Sequence, residues 1–184
     1  MSFKTTGFLL VLLAVFAIFG YNAVFNKPAP SAPTRPFVYS FAMESIVDIE
    51  ARHSGASLRV VWDEGNSVWR FADAAMGEVD GGRMNGIRLL LSGPGANRVL
   101  LRSAPTPAQL AEYGLTQPSA DIRIKLKDGS EHRVLLGDRT PDSRNYYTKS
   151  DDSATIYLVD FTWGNEIVRF VTEPPVKKPD GGNS

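Results

Sequence analysis

Residues 111–129 read "AEYGLTQPSADIRIKLKDG", a stretch holding the end of a helix, a chain reversal and the first arm of a β-hairpin. Just upstream, Thr106 stands at an N-cap, Pro107 at the first helical position and Gln109 at the capping-box position. Gly114 sits where a helix ends in the left-handed conformation, Leu115 folds back on the short helix, and Pro118 prevents its continuation. Ile122, Ile124 and Leu126 then alternate with Arg123, Lys125 and Lys127, giving one apolar and one charged strand face. The following "SEHRVLLG" decides the register. A two-residue Asp-Gly turn sets Arg133 opposite Ile124, whereas a three-residue loop puts His132, Val134 and Leu136 on the apolar face. Parity therefore predicts the three-residue loop.

The same patterning extends in both directions. "SIVDIEA" places Val47 and Ile49 on one face, with Asp48 and Glu50 on the other. "SLRVVW" groups Leu58, Val60 and Trp62; "DEGN" (63–66) turns the chain, and "SVWRFA" returns with Trp69 and Phe71 as core aromatics. Asp80 caps a helix to about Leu91 with Met84, Ile87, Leu90 and Leu91 on its apolar side, and Gly93-Pro94-Gly95 stops it before a strand "NRVLLR". "NYYTKS", a turn at "DDS" and "ATIYLVD" form a second hairpin. Asp160 or Thr162 then opens a last helix, with Trp163, Ile167, Phe170 and Val171 at helical spacing. Hairpin, further strand, Asp and helix occur twice. The fold class expected is α+β: a mainly antiparallel β domain with two or three short helices, read as two similar halves.

Outside this domain, residues 7–26 carry no charge and run "GFLLVLLAVFAIFGYNAVFN". As a helix they span roughly 30 Å, the thickness of a bilayer core. A cleaved secretory signal is the rival reading, but the apolar run is long for one and no Ala-x-Ala follows it directly. An uncleaved transmembrane helix is expected, with a cytoplasmic tail at 1–6. Phe8, Phe16 and Phe19 are its candidates for packing in the membrane, and Tyr21 and Phe25 its interfacial aromatics. "KPAPSAPTRP" (27–36) is a Pro-rich linker reaching roughly 30 Å at most. The extracytoplasmic domain runs over 37–172, and 173–184 reads as a flexible tail. The expected location is the inner membrane: single-pass, N-terminus inside, domain in the periplasm.

Lys plus Arg and Asp plus Glu number 20 each, so no basic field attracts nucleic acid. With no cysteine, thiol nucleophiles, disulfides and thiolate metal sites are excluded. Both histidines, His53 and His132, lack the spacing of a nucleophile site, and no Gly-x-Ser-x-Gly elbow occurs. His53 reads as an exposed turn residue and His132 as a sheet-edge one. Asp63-Glu64 and Asp151-Asp152 lack calcium-loop spacing, and "GGRMNG" and "GPGANR" fail the phosphate-cradle spacing. No enzyme activity, metal or cofactor is expected.

The order "VWRF…VDGGRMNGIRLLLSG", "AEYGLTQPSADIRIKLKDGSEHRVLLGD" and "NYYTKSDDSATIYLVD" resembles the domain of unknown function 4340, over about residues 43–172. The Tyr113-Gly114-Leu115 step with Pro118 carries most of the likeness. One departure is "FADAAMGEVD", where that family commonly has a proline after the Trp strand. The resemblance implies a membrane-anchored domain, in some members accompanying ABC-type transport systems linked to gliding, and no catalytic residue. The expected function is a non-catalytic, single-span accessory subunit whose periplasmic domain packs on a larger integral-membrane complex of transport, respiratory or photosynthetic type. Its partners are that complex and the lipid bilayer. The alternatives are a cell-surface module binding peptide or glycan through Trp62, Trp69, Tyr146, Tyr147 or Trp163, and a component of an ABC-type transporter.

Overall fold

A computed structural model describes residues 35–178. In chain order the elements are β1 (Ile46–His53), β2 (Ala56–Asp63), β3 (Val68–Phe71), α1 (Gly81–Ser92), β4 (Ala96–Leu101), α2 (Pro107–Glu112), β5 (Ala120–Leu126), β6 (Glu131–Arg139), β7 (Asn145–Ser150), β8 (Ile156–Asp160) and α3 (Phe161–Thr172). The eight strands make one antiparallel sheet in the order β3-β2-β1-β5-β6-β7-β8-β4. Among the described residues no helix is long and apolar enough to cross a membrane. The expected membrane helix, with Phe8, Phe16, Phe19, Tyr21 and Phe25, lies outside the described residues.

The register of the central hairpin follows the parity of its side chains. Ile124 faces His132, Ile122 faces Val134 and Ala120 faces Leu136. The Leu126 N–H donates to the Ser130 carbonyl at 2.9 Å, closing a three-residue loop that ends on Gly129 at φ +88°. At the opposite end of the hairpin, α2 carries the full capping box between Thr106 and Gln109. Its stop is a Schellman turn, in which Gly114 N–H donates to Ala111 and Leu115 N–H to Leu110, with Gly114 at φ +67°. The reversal then locks onto β6. The Tyr113 carbonyl accepts from Asp138 N–H at 2.9 Å, and a Cβ at Gly137 would lie 2.1 Å from that carbonyl and 3.2 Å from Leu115. "YGL" and "LGD" are thus two sides of one contact.

The sheet joins two meanders through β1 and β5. Ile49 pairs with Ile124 and Ala51 with Ile122 at that seam, and all four are fully buried. One expectation about β1 fails. Val47 does not share a face with Ile49, because a bulge between Ile46 and Asp48 adds a residue to β1 opposite β5. Ile46 takes the buried position and Val47 is only half-buried.

One face of the sheet is covered by α1 and α3. Met84, Ile87 and Leu91 of α1 and Trp163, Ile167, Phe170 and Val171 of α3 are buried against it. Gly164 permits the closest approach, since a Cβ there would lie 2.4 Å from the Tyr146 ring. The other face is wet and carries cross-strand ion pairs, Asp48 with Arg59 and Asp121 with Arg133. The Arg133 guanidinium holds the Asp121 carboxyl below the usual carboxylate range.

The segment after each long helix pairs with residues that precede the other. After α1, β4 adds to β8, the strand before α3. After α3, Val176 bridges Val79, just before α1. Asp80 N–H donates to the Pro175 carbonyl at 2.7 Å, and Arg83 binds the carbonyls of Glu173 and Pro174. The tail read from residue 173 onward is therefore fixed as far as Lys177, whose N–H donates to Glu78; backbone pairing outweighs its Pro-rich composition. Pro36, read as linker, likewise accepts from Ala96 N–H at 2.7 Å.

Two stability outcomes are expected. Gly137→Ala forces the Tyr113 carbonyl away and should cost about 1–3 kcal/mol, read as a lowered urea midpoint. Asp160 caps α3 through Thr162 N–H, and hydrogen bonds from Thr162 hold its carboxyl below the ordinary value. Its contribution is therefore complete above the unfolded value of about 3.9 and is lost as pH falls through the lower folded-state value. Asp160→Ala should cost about 1 kcal/mol near pH 7 and progressively less below pH 4, whereas Asp160→Asn keeps the cap oxygen and loses the acid dependence; urea unfolding at pH 7 and pH 3 separates them.

Candidate functional site

The short edge strand β3 leaves the inner face of the sheet incompletely covered. After Phe71, Asp73 caps a 3-10 turn over Ala74–Met76 by accepting from Ala75 N–H, and Gly77 at φ +84° sends the chain back. Glu78 then bridges Arg70 before Asp80 opens α1 by accepting from Arg83 N–H at 3.0 Å. This is the path of "FADAAMGEVD". It leaves a cavity of about 670 Å³ between β3, the 3-10 turn and α1.

The floor of the cavity is aromatic. Trp62 and Trp69 are cross-strand partners with ring centroids 5.7 Å apart at 60°, and Phe71 follows on the same face. The wall from α1 carries Asn85 and Arg88. Arg88 falls four residues after Met84 and three before Leu91, on the buried stripe of the helix. Its guanidinium carbon lies 5.4 Å from the Trp69 ring centroid, and Nη2 donates to the Met43 carbonyl at 2.8 Å. Nη1 reaches Asn85 Oδ1 at 3.4 Å.

Two donors of these lining residues have no acceptor among the described residues, Trp69 Nε1 in the floor and Arg88 Nε in the wall, both sealed from solvent. No carboxylate pairs with Arg88 there, whereas the other charges at the rim are engaged. Arg70 pairs with Asp63 at 2.6 Å and Lys177 with Glu78 at 3.0 Å. Asp63 is held below its ordinary value by hydrogen bonds from Asn66 and Arg70.

A second cluster has the order of a nucleophile site. His132 Nδ1 lies 2.6 Å from Asp152 Oδ2, and His132 Nε2 lies 3.4 Å from Ser130 Oγ. The sequence reading of His132 missed both partners, because Asp152 arrives from the β7–β8 turn. The arrangement does not activate the serine. Ser130 Oγ donates to Asp128 Oδ1 at 2.6 Å, and Ser130 N–H donates to the same oxygen, so the hydroxyl proton points at a carboxylate and not at the imidazole. The imidazole also packs on Phe41, with ring centroids 4.4 Å apart and planes tilted by 35°, and rivets β6 to the β7–β8 turn. A fluorophosphonate probe is expected to leave Ser130 unlabelled; stoichiometric labelling, lost in Ser130→Ala, would reverse that assignment.

The remaining sequence candidates are dispersed. His53 is half-buried and not an exposed turn residue, because its Nδ1 lies 2.6 Å from the Ser119 carbonyl. Ser54 Oγ does approach its Nε2, at 3.3 Å; a backbone carbonyl stands in place of the carboxylate a triad needs. Among the described residues no group of three His, Asp or Glu side chains is placed to hold a metal. Tyr146 and Trp163 are buried in the core. Tyr147 is half-buried and stacks on Tyr113 at 4.6 Å. Of the five aromatics considered for ligand contact, only Trp62 and Trp69 line one cavity. Arg88 went unremarked in the sequence, although a guanidinium on an apolar helix stripe was the signal for it.

A family model described as "Domain of unknown function (DUF4340)" matches residues 69–169. That span includes Trp69, Arg88, the Tyr113-Gly114-Leu115 step and most of α3. No curated protein and no solved structure matches the chain.

Proposed function

We propose that this chain, which belongs to the family of domain of unknown function DUF4340, is a non-catalytic accessory subunit. In this reading residues 7–26 tether it to the inner membrane and its periplasmic domain packs on a larger integral-membrane complex. The observation that carries the reading is an apolar surface where residue 35 enters the domain. Phe37, Leu89 and Phe161 are 54%, 65% and 43% exposed. Phe37 pairs with Gly95 and lies beside Gly93, just past the last turn of α1, which carries Leu89. Trp163 Nε1 binds the Leu90 carbonyl at 2.9 Å, which brings the start of α3 to that same turn. Arg35 acts on Asp160, next to Phe161.

Large apolar side chains gathered at one end are the usual mark of an interface. The Pro-rich segment of 27–36 reaches roughly 30 Å at most, which keeps this end close to any membrane partner. The charged outer face of the sheet is unsuited to such a contact, since desolvating its ion pairs costs more than their pairing returns. Two similar halves, related through the β1–β5 seam, fit the same reading as a duplicated scaffold with one specialised end.

Purification of the full chain in mild detergent, followed by mass identification of co-purifying proteins, tests the proposal. Stoichiometric integral-membrane partners are expected, with at least a severalfold loss of recovery in Phe37→Ser/Leu89→Ser and no change in thermal midpoint. Recovery of the wild-type chain as a lone monomer would overturn it.

A further inference from the structure

We infer that the cavity between β3 and α1 is a binding site for a small amphiphilic anion, an aryl or alkyl carboxylate being the simplest form. This inference is independent of the docking surface proposed above. Three observations converge on it. The volume of about 670 Å³ is that of a small-molecule site. Its floor offers the half-buried Trp62 ring to an apolar group, with the buried rings of Trp69 and Phe71 beneath. Its wall carries Arg88, whose guanidinium has no carboxylate partner among the described residues; behind the lining, Trp69 Nε1 and Arg88 Nε are buried without acceptors.

Unpaired buried donors are costly, about 1–3 kcal/mol each, and more for a charged group. Native structures retain them where a partner is supplied from outside. The complement to a cavity-lining guanidinium without a carboxylate is an anionic acceptor with two lone-pair-rich oxygens. A neutral sugar would supply hydroxyls but no charge for Arg88, and a cationic ligand is repelled by it. Arg88 is also braced before any ligand arrives, by its bond to the Met43 carbonyl and by the Trp69 ring under its plane. Its direction is therefore preset, which reduces the ordering cost of binding.

Calorimetric titration of the full chain in dodecyl maltoside, corrected for protein-free micelles, tests the inference with 4-phenylbutyrate and its neutral amide as probes. Saturable binding of the acid is expected, tighter than the amide by on the order of tenfold, as for a charge-assisted hydrogen bond. Arg88→Gln should abolish the preference for the acid. Asn85→Trp keeps both donors and fills the cavity from an exposed helix position, so it should block both probes without lowering the thermal midpoint. The inference fails if acid and amide bind equally, if Asn85→Trp leaves binding unchanged, or if no saturable binding of the acid occurs at millimolar concentration.

Discussion

Everything in this domain hangs on the antiparallel seam between β1 and β5. Cut at that seam, the sheet falls into pieces of three and five strands, and neither alone offers the apolar floor on which α3 lies. Joining them sets Ile49 against Ile124 and Ala51 against Ile122, which produces one continuous floor. On that floor α3 reaches β1, β2, β7 and β8 while α1 packs beside it. The seam is also the most sequence-distant pairing in the middle of the sheet, so it forms against loop-closure entropy and after the local hairpins. The bulge at Val47 ends its regular stretch.

The cavity at β3 follows from the same geometry. β3 has four residues and β2 has eight, so the sheet runs out of strand before α1 runs out of helix. Natural sheets often shorten an edge strand to discourage pairing with other chains. Here the shortening also leaves Trp62 half-exposed, and the helix sets an arginine over the Trp69 ring where a leucine would have closed the gap. The cluster at Ser130, His132 and Asp152 is the opposite case: three side chains in suggestive order, each already committed to holding turns together.

Elements whose signals are local were legible in the sequence. The capping box at Thr106, the left-handed Gly114 and the Asp80 and Asp160 caps depend on a few adjacent residues, and the parity of Ile122 to Leu136 sufficed for the hairpin register. What escaped depends on distant partners. Nothing near Val47 announces a bulge, because the bulge is defined only opposite β5. Nothing in "EPPVKK" announces that Val176 will bridge Val79, and nothing in "DDS" announces His132. Arg88 lay between these cases: its position on the apolar stripe is local, but its meaning appears only once Trp69 lies beneath it. The apolar segment at 7–26 is readable as composition and lies outside the described fold.

The way residue 35 enters has a mechanical side. Pro36 and Val38 are bonded to Ala96 and Pro94, at the start of β4, so a load applied through the N-terminal segment arrives at the outermost strand of the sheet and not at its centre. β4 is held along one flank by β8, through a ladder interrupted by two register shifts. Tension at residue 35 would first have to break the bonds of Pro36 and Val38, and the one from Phe41 N–H to the Ser92 carbonyl, before it passed along the chain to β1. This clasp on the edge strand is thus the first thing a pull at residue 35 meets, ahead of the β1–β5 seam that holds the sheet together.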